Sequence, residues 1–259
     1  MKFKLILLIL STIIGLEKLS AQDSTKSCNC NYKFNNNYDL SFSQGNKEIL
    51  GAFSWSHFHG IGHKKQRFKI GYGLRFTSYY GYGNGKNYTT APSKYTSTVQ
   101  GPTTIFSETI ENNIDTVSFS NPQVNSLNIS INLQYSISKK FDVGFNIDAI
   151  GFSFGGKQPG SVISSVYDPG QPFLVSAKPT SLNLLLTSDN DIGSLNSEFY
   201  LRYWISEHLG IRAGYSFYFS EYTTNQSLNF DAGRIQNDRF RLKSSLLMLG
   251  ITYRPFTKK

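Results

Sequence analysis

The sequence predicts an all-β fold: an antiparallel up-and-down β-barrel with lipid outside and a polar lumen inside, of eight strands or alternatively ten. Three observations carry this. Apolar and polar residues alternate strictly in one segment after another, the chain opens with the make-up of an export signal, and the connections between segments alternate short and long. The clearest segment is Leu127 to Ile137. Successive strand side chains point to opposite faces, so Leu127, Ile129, Ile131, Leu133, Tyr135 and Ile137 share one face and Asn128, Ser130, Asn132, Gln134 and Ser136 the other. A soluble sandwich can contain one such strand; the recurrence points to a membrane wall.

Residues 1–21 are expected to be a cleaved signal peptide. Lys2 and Lys4 form a basic start, Leu5 to Ile14 an apolar core, and Leu19-Ser20-Ala21 a cleavage site before Gln22. The apolar run is too short to span a membrane as a helix, which needs about 20 residues, and no later segment reaches that length. Residues 22–37 are expected as a periplasmic N-terminal segment and 38–259 as the barrel. The first of these holds Cys28 and Cys30, the only cysteines. An exported chain can oxidise them, though a C-N-C ring would be strained, and no further metal ligands lie nearby.

Eight strands follow from counting at period 2. They run Tyr38 to Ser43, Glu48 to His59, Arg67 to Tyr80, Asn125 to Ile137, Phe141 to Phe154, Ser194 to Ile205, Leu209 to Ser220 and Lys243 to Phe256. In the fifth, the phase blurs at Ile150, which predicts a bulge. A strand of about 11 residues rises about 36 Å at 3.3 Å per residue, and a tilt of about 45° brings that to about 25 Å, the height of the apolar band of a membrane barrel. The connections 60–66, 138–140 and 206–208 are short, whereas 81–124, 155–193 and 221–240 are long. Short periplasmic turns and long outer loops place both termini in the periplasm. Ile114 to Phe119 and Leu182 to Thr187 are possible extra strand pieces, extending hairpins above the membrane or making ten strands.

The chain is basic, with 26 Lys and Arg against 17 Asp and Glu. The long connections are acidic instead, so the excess lies in strands, turns and tails. That placement argues against a nucleic-acid partner. Phe and Tyr, at 20 and 16 copies, suit the ring belts of membrane interfaces.

In pattern the mature chain resembles a small outer-membrane β-barrel protein of Gram-negative envelopes, of the OmpA/OmpX-like architecture. The resemblance implies outer-membrane lipid around the barrel and a last strand with a terminal aromatic, read by the barrel-assembly machinery. Gly250, Tyr253 and Phe256 are the matching positions. Phe256 is out of phase with Tyr253, and Thr257-Lys258-Lys259 overhang.

The inward faces place Arg67, Lys69, Arg75, Arg202, Arg212 and Arg254 with Asp39, Asp142, Asp148 and Glu198 in a lumen that eight strands leave just wide enough for side chains. Charges confined there must pair or stay wet. An ion-paired plug is therefore expected, and a pore would need a wider barrel. His57, His59 and His63 are a candidate metal set, weighed against an interfacial position beside Phe53 and Trp55 on the lipid side. All four histidines, His208 included, map to the periplasmic end, away from the outer rim where barrel enzymes place a nucleophile and base, so no enzymatic activity and no cofactor are expected. Asp189 to Gly193 resembles part of a calcium loop but lacks the later acidic ligand and reads as a turn. Lys64, Lys65, Lys139 and Lys140, with the terminal lysines, form a basic ring suited to anionic headgroups. Tyr79, Tyr80, Tyr82, Tyr88 and Tyr95 offer stacking surfaces for an outer ligand or an upper girdle. The expected role is structural, or contact with an extracellular ligand or an envelope protein through the outer loops; the alternative is the barrel component of an envelope transport or secretion system.

Overall fold

Alternation drives thirteen strands into one antiparallel sheet, in a computed structural model that describes residues 35–62, 66–83, 85–97, 110, 114–163, 173–186, 190–230 and 235–255. Residues 1–21, expected as a signal peptide, and Cys28, Cys30, His63, Lys64, Lys65 and Phe256 lie outside the described residues, which all belong to the unit Phe34–Lys259. The strands are β1 (Asn35–Gly45), β2 (Glu48–Ile61), β3 (Phe68–Gly81), β4 (Lys86–Thr90), β5 (Thr116–Phe119), β6 (Gln123–Ser136), β7 (Phe141–Phe154), β8 (Gln158–Ile163), β9 (Phe173–Pro179), β10 (Leu182–Leu184), β11 (Leu195–Trp204), β12 (Leu209–Phe230) and β13 (Ile235–Tyr253). A four-residue helix, α1 (Ser93–Thr96), follows β4.

Two closed circuits share the last two strands. Eight strands pair in the order β1, β2, β3, β6, β7, β11, β12, β13, and β13 returns to β1. These are the eight strands expected from period 2. The segments expected as long loops are the correction. Above the first circuit, β12 and β13 continue upward, β13 pairs with β4 and β12 with β9, and β4, β5, β8 and β9 pair in turn, which closes a second ring of six strands. The expected piece Ile114 to Phe119 is β5 of this upper ring, and Leu182 to Thr187 supplies β10, paired with the upper end of β7. Neither adds a strand to the lower ring.

The physical reason for the second ring is visible in the short strands. Val117 and Phe119, Val162, and Val175 and Ala177 alternate with Ser118, Ser161 and Ser176, so each piece has one apolar face. With Tyr88, Val124, Tyr222, Leu228 and Phe240 they form a buried apolar cluster. Phe119 stacks on Tyr222 and Tyr88 meets both edge to face, with ring centroids 4.8 to 5.4 Å apart, a spacing at which aromatic pairs attract beyond their burial.

The lower ring has the opposite polarity, apolar outside and polar inside. The bulge expected near Ile150 falls one residue earlier: Ile129 pairs with Ile150 and Ser130 with Asp148, so Ala149 is the extra residue. It restores Ile150, Phe152 and Phe154 to the outer face. Two of the short turns use one device. Ser138 Oγ accepts from the backbone N–H groups of Lys140 and Phe141, at 3.2 Å each, and Ser206 Oγ accepts from those of His208 and Leu209 at 3.3 and 3.0 Å.

Candidate functional site in the lumen and cap

Inside the lower ring, seven charged groups of alternating sign form one chain. Asp148 of β7 accepts from Arg75 Nε at 2.8 Å, and Arg75 Nη1 lies 3.1 Å from Glu198 of β11. Glu198 Oε2 accepts from Arg212 Nη2 of β12 at 3.2 Å. Arg212 Nη1 lies 3.7 Å from Asp39 of β1, and Asp39 accepts from Arg202 Nη2 of β11 at 3.3 Å. Arg202 Nη1 ends the chain 3.9 Å from Asp142 of β7. Each guanidinium thus sits between two carboxylates. That offsets the several kcal/mol that desolvating a lone charge would cost. Neutral groups add donors to the carboxylates: Asn128 Nδ2 and the backbone N–H of Asn196 donate to Asp148 at 2.8 and 2.9 Å, and Ser41 Oγ donates to Glu198 at 3.3 Å. Thr252 Oγ1 donates to Asp39.

Glycines make the space. A Cβ on Gly144 would run into the Tyr200 ring, and one on Gly250 would sit 2.8 Å from Leu40 O and 3.2 Å from Arg212 Nε. Tyr200 uses that room to place its ring under two guanidinium carbons, 5.0 Å from that of Arg202 and 4.8 Å from that of Arg212.

Arg75, Arg202, Arg212, Asp142, Asp148 and Glu198 therefore come together where the inward faces place them. Three expected members do not join. Arg67 is exposed and precedes β3, because Gln66, at φ 41°, turns the chain so that the strand starts at Phe68. Lys69 faces the lumen half-buried at the turn end but makes no ion pair with a described residue. Arg254 stands beside it, its guanidinium carbon 3.9 Å from the Trp204 ring centroid and its Nε donating to Asn37 Oδ1 at 3.2 Å. Trp204 shares the inward phase of Arg202 and Glu198, and that parity was the available signal for it. Gly250 pairs with Ser41 and Arg212, and Tyr253 ends β13 facing outward.

Higher in the ring the filling turns apolar, with Leu50, Ala52, Tyr79, Tyr218 and Leu246 in one cluster. Glu48 sits at its upper edge, accepting from Tyr79 Oη at 2.8 Å and Ser244 Oγ at 2.9 Å, with Lys86 Nζ 3.2 Å away. Tyr79 and Tyr88 are thus buried rather than free for a ligand, which corrects the expectation for those two. Tyr88 Oη bonds Ser220 Oγ at 2.8 Å, and burial beside Tyr79 and Tyr222 holds that hydroxyl well above the ordinary tyrosine range. Tyr80 and Tyr82 remain exposed, and Tyr95 carries Lys94 Nζ 4.4 Å from its ring centroid.

A second ion cluster, on the side of β12–β13 opposite Tyr222 and Phe240, has no expectation in the sequence. Glu221 accepts from Arg239 Nε at 2.7 Å and Arg241 Nη2 at 2.9 Å, and the backbone N–H of Gly193 donates to it at 3.1 Å. Both arginines also donate to the Asp191 carbonyl, so the cluster fastens the segment before β11 onto the hairpin. Asp191 Oδ1 accepts from the backbone N–H of Leu186 at 2.6 Å and Gly193 has φ 76°, which is turn geometry. Asp189 lies outside the described residues. His57 and His59 lie on the outer face with ring centroids 4.7 Å apart, packed on Tyr72, and His57 Nδ1 is 2.6 Å from Asn36 Oδ1. His208 Nδ1 lies 2.9 Å from the Arg254 carbonyl. On the outside of the cap, a cleft of about 530 Å³ is lined by Gly83, Gly85, Ser118, Pro159, Ser161 and Leu174.

No protein-family model matches the chain, and no curated protein matches it by sequence. Among solved structures its neighbours are outer-membrane β-barrel proteins of Gram-negative bacteria. Neisserial surface protein A is similar over 86% of this chain and 96% of its own, at 10% identity and TM-score 0.35. The outer membrane protein Ail of Yersinia pestis is similar over 86% and 99%, at 10% identity and TM-score 0.36. The Pseudomonas putida toluene transporter TodX is similar over 88% and 90%, at 9% identity and TM-score 0.19.

Proposed function

We propose that the chain is a transmembrane β-barrel of a Gram-negative outer membrane, non-enzymatic and sealed, whose work is to present the folded six-strand cap outside the cell. One observation carries this reading. Large apolar side chains cover the outer face of the whole lower ring, from Leu40 and Phe42 on β1 to Leu249 and Ile251 on β13, with Leu247 65% and Leu249 69% exposed. The largest apolar patch of a soluble monomer is about 300–600 Å², and a belt around a closed ring far exceeds that. Hydrocarbon suits such a belt, and a closed ring leaves no backbone edge unpaired within it.

The charges and polar groups sit inside, and they support a plug rather than a pore. The ion chain fills one level, the Leu50–Tyr79–Tyr218 cluster the next, and the apolar core of the cap stands above both. The short turns, the start of β1 and the end of β13 are then periplasmic, where Lys139 and Lys140 stand exposed toward headgroups and Tyr253 closes the strand that the assembly machinery reads. A surface-contact role is what remains for a sealed barrel with a folded outer face.

Cysteine labelling tests topology and role together. In a background with Cys28 and Cys30 changed to Ser, S161C on the cap should react with an impermeant maleimide in intact cells, and S138C only after the outer membrane is opened. Labelling of S138C in intact cells would overturn the orientation. Steady open channels in planar bilayers would overturn the sealed barrel, and a surface-contact role predicts that excising cap residues 86–119 abolishes binding to host or neighbouring cells while the barrel still inserts.

A further inference from the structure

We infer that the turn end of the lumen binds an oxyanion of the phosphate class. Five cations face four carboxylates in the lower lumen, and the surplus is local. Lys69 and Arg254 are the two lumen cations with no carboxylate within 4.0 Å among the described residues, and they lie at the same end. Two cations, Arg254 and Arg202, act on Lys69 against one carboxylate, Asp142, so it faces more positive charge than negative. Asp142 does not relieve this, because its Oδ2 already accepts from Trp204 Nε1 at 2.6 Å and lies 3.9 Å from Arg202.

A second observation points the same way. Buried donors around this cluster find no acceptor among the described residues: Gln134 Nε2, Asn37 Nδ2 and Arg202 Nε, on side chains at most 1% exposed. They belong to the same group. Gln134 is the cross-strand partner of Lys69 and accepts from Arg202 Nη1 at 3.0 Å, and Asn37 holds Arg254. A buried donor without an acceptor is costly, and an anion at this place would satisfy several at once.

The arrangement selects the ligand. Donors come from β1, β3, β6, β11 and the residue after β13, all around the lumen. A tetrahedral anion offers oxygens in every direction, whereas a carboxylate offers two in one plane. Trp204 lies against both guanidiniums, Arg202 at 5.3 Å and Arg254 at 3.9 Å, and the donors left over are Arg202 Nε and the two Nη groups of Arg254, since Arg202 Nη1 and Nη2 and Arg254 Nε already have acceptors. The source is either free phosphate or the phosphate of a phospholipid headgroup reaching the mouth from the surrounding leaflet. The inference uses only the lumen geometry and stands apart from the surface-contact role.

The test is calorimetric titration of inorganic phosphate into the protein in phosphatidylcholine nanodiscs, with sodium chloride at matched ionic strength as the blank. Wild type should bind, K69Q and R254Q should each bind at least tenfold more weakly, and K140Q should match wild type. Retained heat-modifiable gel migration checks that the variants are folded. In nanodiscs containing phosphatidylglycerol, undiminished binding assigns free phosphate and blocked binding assigns the headgroup; either supports the site. No binding above the chloride blank in phosphatidylcholine, or equal affinity in folded K69Q and wild type, overturns it.

Discussion

Replacing Leu74 by arginine separates a lipid-facing belt from a water-facing one. Leu74 lies on the outer face of β3, half exposed, paired with Trp55 and Ile129. It is six residues from Phe68 and six from Tyr80 along the strand. At about 3.3 Å per residue and a tilt of about 45°, that puts it about 14 Å from either edge of the band, at the midplane. An arginine there should cost about 2–4 kcal/mol, whereas F68R at the edge should cost about 0–1. A water-facing surface position would tolerate either change within about 0.5 kcal/mol. A cost of 3 kcal/mol is roughly a 150-fold loss in the folding equilibrium. The assay is reversible guanidinium unfolding in phosphatidylcholine vesicles, followed by the fluorescence of Trp55 and Trp204, the only two tryptophans. Equal midpoints for L74R, F68R and wild type would refute the membrane reading.

Other expectations follow from the interior. E198Q leaves Arg75 and Arg212 facing each other without their shared carboxylate and should cost about 3–5 kcal/mol in the same unfolding assay; a change below 1 kcal/mol would mean the lumen is wet enough to screen the pair. G144A forces the Tyr200 ring aside and should cost about 1–3 kcal/mol, and the double variant G144A/Y200A should recover part of it. F119A empties the centre of the cap core and, by analogy with other cores, removes about 3–5 kcal/mol from the upper ring. Limited proteolysis should then cut the cap faster while heat-modifiable migration persists, and loss of both together would show that the rings are not separable. E221Q should expose residues 190–194 to amide exchange, because the group that both arginines and Gly193 share loses its charge and one of its two acceptor oxygens.

What was legible in the sequence depended on the reach of the signal. The long strands announced themselves because a face buried in lipid must be apolar at every second residue, as from Leu127 to Leu133. The sign alternation of the lumen was half visible: inward parity found Arg75, Asp148 and Glu198, but which carboxylate meets which guanidinium depends on the stagger between strands far apart in the chain, such as β1 and β11. Parity also overreached at Arg67, where one backbone angle at Gln66 ends the strand a residue early. Only part of the cap was legible: Ile114 to Phe119 stood out as an extra strand piece, whereas β4, β8 and β9 did not, because the short strands of the cap run only 4 to 7 residues. At that length K-N-Y-T-T is indistinguishable from a polar loop with an occasional apolar residue. Its apolar face acquires meaning only when four other pieces of the chain meet it. The Glu221 cluster was invisible for a related reason, since its arginines arrive from across a hairpin 18 and 20 residues away.

The hairpin that both rings share ties their completion to one event. Within the lower ring β13 is the strand that reaches β1, and within the upper ring the same two strands reach β4 and β9. Synthesis delivers β12 and β13 last. Until they arrive, both walls stand open along the same seam, with the apolar faces of β4, β5, β8 and β9 lacking the Tyr222 and Phe240 that cover them. A finished cap therefore certifies a finished barrel: any molecule that binds the closed outer face distinguishes matured chains from those whose last hairpin has yet to dock.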